Sequence, residues 1–204
     1  MDIAGGQMAR PSAEQRKEMI IEAVLALFRE KGMAASSTRD IAERTGLARS
    51  HVYHYFKDWK ELCLCAVERF TYQEIAEQRE WLLPLPAREA LPLFVRDNLP
   101  TSQDASWAIY LDAWNESLRD PVFAESYRKI ILAWREVLEQ ILQKGIDSGE
   151  FVADDARRLA RQITALINGY ADDLILEPTP ETVEATYQEI MLVVNQLVLP
   201  PVHS

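Results

Sequence analysis

From Ser36 to Phe56 the chain reads SSTRDIAERTGLARSHVYHYF. A helix-turn-helix needs a small residue where two short helices cross closely. It needs a glycine in the turn four residues later, and an apolar residue six positions on to lock the second helix. Ala42, Gly46 and Val52 meet these demands, and Ile41 and Leu47 supply the remaining inward contacts. Ser37 is placed to cap the first of these helices, with Asp40 three residues on as a capping box. The second helix, expected over about Ala48 to Tyr55, presents Arg49, Ser50, His51, Tyr53 and His54 outward. These side chains carry donors suited to base edges and phosphates. Tyr53 and Tyr55, followed by Lys57 and Lys60, suit a sugar-phosphate wall.

Outward from this stretch the pattern stays helical. A first helix is expected from about Ser12 to Lys31, with Ile20, Val24, Leu27 and Phe28 as its buried stripe and Gly32 as its stop. Met1 to Pro11, with Gly5-Gly6 and little apolar content, reads as a flexible arm. Asp58 is placed to cap a longer helix that Pro84-Leu85-Pro86 ends. Apolar residues at spacings of three and four then predict helices near 87–99, 103–118, 121–147, 154–176 and 180–198. Strict two-residue alternation is absent, so the fold class is all-α. The organisation expected is an arm over 1–11, a three-helix helix-turn-helix head over 12–57 and a larger helical bundle over 58–204.

Composition bounds the function. The chain has 204 residues, 48% of them hydrophobic and 26% charged, as in a globular protein. No apolar run approaches the roughly 18 residues of a membrane span, and no secretory signal is readable at the N-terminus. The two cysteines, Cys63 and Cys65, point to different faces of one helix and offer no disulfide framework. A cytoplasmic location is the expectation. The formal charge of −10 speaks globally against nucleic acid, but it is unevenly placed. Residues 1–62 hold ten Lys/Arg and nine Asp/Glu, and all the excess acid lies beyond them. What a phosphate partner meets is the local face, not the total. An enzyme is disfavoured: His51, His54 and His203 are confined to head and tail, and there is neither a Gly-rich phosphate loop nor a nucleophile–base spacing. No catalytic residue, metal or cofactor is expected.

The head resembles the tetracycline-repressor (TetR) family of bacterial transcription regulators. Ile21, Ala23, Phe28 and Gly32 carry the likeness in the first helix. Ser37, Ile41, Ala42, Gly46, Leu47, Tyr53, Tyr55, Phe56 and Leu62 continue it. The body, through Trp107, Trp114, Asp120-Pro121, Trp134, Gly149-Glu150-Phe151 and Asn168-Gly169-Tyr170, is similar to the BetI-type C-terminal domain. The resemblance implies a homodimer with two DNA-binding heads and a ligand-responsive helical body. By position it implies that Ser37, Thr38 and Arg39 meet DNA backbone. Arg49, Ser50, His51 and His54 would approach bases, and Tyr53, Tyr55 and Lys57 would hold phosphates. Two departures stand out: Trp59 replaces the usual phosphate-touching lysine, so that Lys57 or Lys60 takes over its role, and Ser50 stands where glycine is frequent.

In the body, aromatics at helical spacing are ordinarily core, yet so many large rings can also wall a pocket. The ligand candidates are Trp107, Tyr110, Asp112, Trp114, Glu116, Tyr127, Trp134, Asn168, Tyr170 and Asp173. Asp112 and Glu116 lie one turn apart beside Trp114. Turned inward with the rings they suit a cation; the ordinary reading is a solvated acidic face. Asp172-Asp173 falls in an apolar helix and faces pocket, dimer seam or solvent. The last two helices carry broad apolar faces, which suits a four-helix seam across a two-fold axis. The expected function is a repressor on a near-palindromic operator, bound as a homodimer and released by a small organic effector that is aromatic, apolar or cationic. The alternative is a DNA-binding module that needs no ligand or answers to a partner protein.

Overall fold

A computed structural model describes residues 12–101 and 105–200. The expected arm over 1–11, the expected helix start at 103 and His203 lie outside the described residues. Among the described residues there are nine α-helices and no strand: α1 (Ala13–Lys31), α2 (Thr38–Thr45), α3 (Arg49–Tyr55), α4 (Trp59–Leu82), α5 (Ala87–Asp97), α6 (Ala105–Ser117), α7 (Pro121–Asp147), α8 (Ala156–Leu174) and α9 (Pro180–Val198). The chain forms two compact units, Met1–Val67 and Glu68–Ser204, so the change-over falls inside α4.

The first unit is built on helix-end chemistry. Ser12 and Gln15 close a reciprocal capping box on α1, their side chains and backbone amides paired at 2.8 and 3.1 Å. The inward stripe of α1 buries Ile20, Val24, Leu27 and Phe28. Gly46 ends α2 in the left-handed region at φ 69°, and its N–H donates to the Ala42 carbonyl at 3.0 Å. A side chain there would strain the turn that sets α3 across α2. Ile41 and Val52 are fully buried beneath that crossing. The first turns of α4 belong to the same core: Leu62 and Cys63 are buried, and the Trp59 ring meets Phe28 edge-on at 6.4 Å. Cys65 is half-buried.

In the second unit α7 packs against α5, α6 and α8, and α9 packs against α8 and α5. Buried side chains from α4, α5, α7, α8 and α9 share one core. The corner between α4 and α5 is held from α7. Lys144 donates to the Leu83 and Leu85 carbonyls at 3.0 and 2.7 Å, just past the end of α4. Beyond α7, the Glu150 carboxylate accepts the Arg88 N–H at 2.8 Å and the Ala87 N–H at 3.4 Å, at the start of α5. Gly145 lets the buried Phe151 ring lie directly against α7.

Candidate nucleic-acid interface and ligand cavity

In the head, Val52 faces inward from α3, while Arg49, Ser50, His51, Tyr53 and His54 are exposed on one short helix. Tyr55 is half-buried, its ring edge-on to His54 at 5.2 Å. Lys57 and Lys60 are exposed just beyond. The sequence-derived donors of the second helix are thus exposed except Tyr55, while Val52 alone is buried.

The start of α2 is different. Ser37 donates both its N–H, at 2.8 Å, and its hydroxyl, at 2.6 Å, to Asp40 Oδ2. Thr38 is buried, its hydroxyl 3.2 Å from that of Tyr53. Arg39 is exposed and pairs with Glu43 at 2.9 Å. Of the three residues expected to meet DNA backbone here, Ser37 and Thr38 spend their hydroxyls inside the fold, and Arg39 alone is exposed.

The Lys31 ammonium, 2.6 Å away, and then the Ser37 donors hold the Asp40 carboxyl at about 2, below the ordinary carboxylate range. A depressed carboxylate stabilises the fold above the unfolded value of about 4 and loses that contribution as pH falls through about 2. Asp40→Asn is expected to lower the melting temperature of the head at neutral pH and to flatten its decline between about pH 4 and 2. Thermal melts followed by circular dichroism across that range check this; equal slopes in both proteins would remove the ion pair from the account.

The body holds a cavity of about 140 Å³ lined by residues of α5, α6, α7 and α8. Trp107, Tyr110, Tyr127, Trp134 and Asn168 line it, as the sequence suggested. The Tyr110 ring sits edge-on to both Trp107, at 6.3 Å, and Trp134, at 6.5 Å. Its hydroxyl donates to Glu74, and burial followed by that carboxylate pushes the phenol well above its usual range, so it remains a donor. Burial raises Tyr127 in the same direction.

The other sequence candidates do not line this cavity. Trp114 is 52% exposed, because Ile109 and Ala113 are the fully buried positions of α6. Asp112 and Glu116 are half-buried off the cavity wall. Tyr170 packs against the body core and hydrogen-bonds Glu189, two positions and about 200° round α8 from Asn168. Asp173 is exposed. Conversely, Phe94, Asn98, Ile130, Ile131, Thr164 and Ile167 line the cavity and went unread. A signal existed: each lies three or four residues along the chain from another lining position.

Comparison with known proteins adds to this geometry. The profile described as BetI-type transcriptional repressor, C-terminal, matches residues 87–197, more than half of the chain, and that of bacterial regulatory proteins, tetR family, matches residues 20–64. The chain belongs to the TetR family. It is a helix-turn-helix DNA-binding transcriptional regulator with a BetI-type body. Among its TetR relatives, the HTH-type transcriptional regulator YfiR of Bacillus subtilis is 25% identical over 71% of this chain and 72% of its own length. A transcriptional regulator from Saccharomonospora viridis in complex with choline shares the fold at a TM-score of 0.80, with 22% identity over 92% of this chain and 100% of its own. FadR of Bacillus subtilis in complex with stearoyl-CoA does so at 0.69, with 22% identity over 87% and 96%. Among the described residues no helix is long and apolar enough to cross a membrane.

Proposed function

We propose that this regulator is a homodimeric repressor. Its two α3 helices enter successive major grooves of a near-palindromic operator, and a small organic effector in the body cavity releases it. The observation that carries the reading is the ring-lined cavity of about 140 Å³ in the body of a chain that also has a DNA-binding head. A body packed solid would have suited a ligand-independent regulator instead. The choline and stearoyl-CoA complexes of two proteins with this fold support effector binding in such a body. Arg49, Ser50, His51 and His54 read or approach bases; Tyr53, Tyr55, Lys57 and Lys60 hold phosphates; Arg39 meets the backbone at the start of α2. The effector acts by binding more tightly to the body conformation that spaces the heads wrongly, which moves the population off DNA.

The dimer seam is assigned to α8 and α9. Leu192 on α9 is 63% exposed with Val193 beside it, and Leu176, just past α8, is 78% exposed. A second copy related by a two-fold axis covers such residues with the same residues of its own.

The test is salt-dependent binding to DNA from upstream of the protein's own gene and to random competitor, with the mass of the complex measured by light scattering. Selective binding at dimer stoichiometry is expected. Equal, weak binding to both DNAs, or a monomer on the site, would overturn the reading. Among compounds that release the wild type, Trp134→Ala is expected to weaken release at least tenfold while leaving operator affinity within about threefold. Trp114→Ala is the exposed control and is expected to change neither. A Trp114→Ala protein that fails to respond would move the effector site along α6.

A further inference from the structure

The charges of α8 stand in two blocks. Arg157, Arg158 and Arg161 occupy its first two turns, Asp172 and Asp173 its last, and no residue between Arg161 and Asp172 is charged. All five side chains are exposed. The order runs against the helix's own dipole, which favours acid at the start and base at the end. Little inside the chain offsets it. Arg158 reaches Asp154 at 3.3 Å and Asp155 at 3.9 Å in exposed pairs, which contribute little to stability. Arg157, Arg161, Asp172 and Asp173 have no ion pair among the described residues. Solvation alone does not favour this order.

Seven residues of α-helix come within about 20° of two full turns. Arg158, Ala165 and Asp172 are spaced by seven, so they lie along one line of α8, roughly 10.5 Å apart. Gly169 stands about 40° from that line, and all four positions are exposed. Ala165, at the midpoint, offers only a methyl, and a Cβ on Gly169 would meet nothing within 4 Å. A glycine in mid-helix costs stability relative to alanine, and no described side chain calls for it here. A second backbone lying close over the line would use it.

Two-fold symmetry turns the charge order into a choice. An axis running along α8 sets Arg158 against Arg158 of the second copy, and Asp172 against Asp172. An axis crossing α8 at right angles beside Ala165 sets Arg158 of each copy against Asp172 of the other. Like charges face to face cost affinity, and unlike charges fix register. The body makes the choice sharper. All of the chain's excess acid lies beyond residue 62, so two bodies repel unless unlike charges are matched where they meet.

We propose that α8 pairs with α8 of a second copy in antiparallel register, with Ala165 beside the axis. Arg158 and Asp172 form two symmetry-related ion pairs, one at each end of the crossing, and these choose the register. Arg157 and Asp173 flank the same two ends. Gly169 lets the backbones approach between them. The two helix dipoles then oppose each other, and each end's misplaced charges are balanced by the other copy. The charge order of α8, rather than apolar area alone, decides which chains pair. This proposal rests on the homodimeric reading above.

The experiment co-expresses the full chain with a differently tagged double variant, Arg158→Asp with Asp172→Arg, and counts pure and mixed dimers by native mass spectrometry. The exchange leaves net charge unchanged and gives α8 the order its dipole prefers, so the variant is expected to fold and to dimerise with itself. Two differently tagged wild types are expected to mix at random, with about half of the dimers mixed. A dimer of wild type with variant sets like charge against like at both ends. Its share is expected to fall from about one half to about one tenth, as a tenfold weaker mixed dimer requires. Random mixing overturns the proposal. So does an excess of mixed dimer, which an axis along α8 would give, or a variant that keeps its helical signal and is monomeric. Should the variant lose its helical signal, Arg158→Glu with Asp172→Lys takes its place. A monomeric wild type sinks the homodimeric reading itself, whereas a wild-type dimer that mixes at random with the variant sinks only the register.

Discussion

Arg49→Ala is expected to weaken operator binding more than any other single change in the head. Arg49 is the first residue of α3, exposed, at the end of the helix proposed above to reach base edges. An arginine bidentate to a guanine is worth about 1–3 kcal/mol of discrimination. Two heads per operator double that to roughly 2–6 kcal/mol, a loss between about thirtyfold and 10⁴-fold. The kind of loss tells the contact. If Arg49 reads a base, preference at one position of each half-site relaxes. If it holds a phosphate, all sequences weaken alike and the salt dependence falls by about one counterion per head. Lys57→Ala is the phosphate-type comparison. Unchanged affinity together with unchanged preference would remove Arg49 from the contact set.

The largest expected effect on stability comes from one hydrogen atom's worth of space in the body. A Cβ on residue 145 would stand 2.1 and 2.3 Å from two carbons of the Phe151 ring and 2.9 Å from the Ala87 Cβ. Both neighbours are buried, so neither is free to swing into solvent. In an open helix Gly→Ala gains about 1 kcal/mol. Here overpacking reverses the sign, and Gly145→Ala is expected to destabilise by roughly 1–3 kcal/mol. For a chain of this length that lowers the melting midpoint by about 2–12 °C. Phe151→Leu in the same background is expected to recover part of the loss, giving a non-additive double-mutant cycle. A midpoint equal to the wild type's would show that α7 and the following turn can separate at no cost.

The parts of the molecule legible in the sequence are those whose cause is local. Ala42, Gly46 and Val52 announce the crossing of α2 and α3 because each position has a steric demand that few residues meet. Ser37 with Asp40, and Asp58 before α4, announce helix starts because a cap acts within three residues; Glu61 N–H indeed donates to Asp58 at 2.8 Å. The same capping box shows the limit. Ser37 and Thr38 look like free hydroxyls in sequence, yet one serves Asp40 and the other lies against Tyr53, fifteen residues away. In the body, spacing showed that aromatics share helix faces but not which face looks inward. Trp134 and Trp114 read alike; α7 turns the first toward the cavity, while Ala113 takes the inward place beside the second. The buried Gln78 went unread: its amide donates to Asp97 on another helix at 2.7 Å, and no periodicity encodes that.

The α4–α5 corner has a consequence for how the chain acquires its structure. Pro86 precedes α5 and offers no side-chain cap, so the helix lacks a start signal of its own. Its first amides are satisfied by Glu150, and the carbonyls just past α4 by Lys144, about sixty positions along the chain. Closing so long a loop must be paid for in chain entropy before either bond forms. The head, whose caps lie within a few residues of the amides they serve, bears no such delay. During refolding the head's helices are therefore expected to gain protection from hydrogen exchange first. The amides at the start of α5 should follow only when the far end of α7 arrives, which makes this corner a clock for completion of the body.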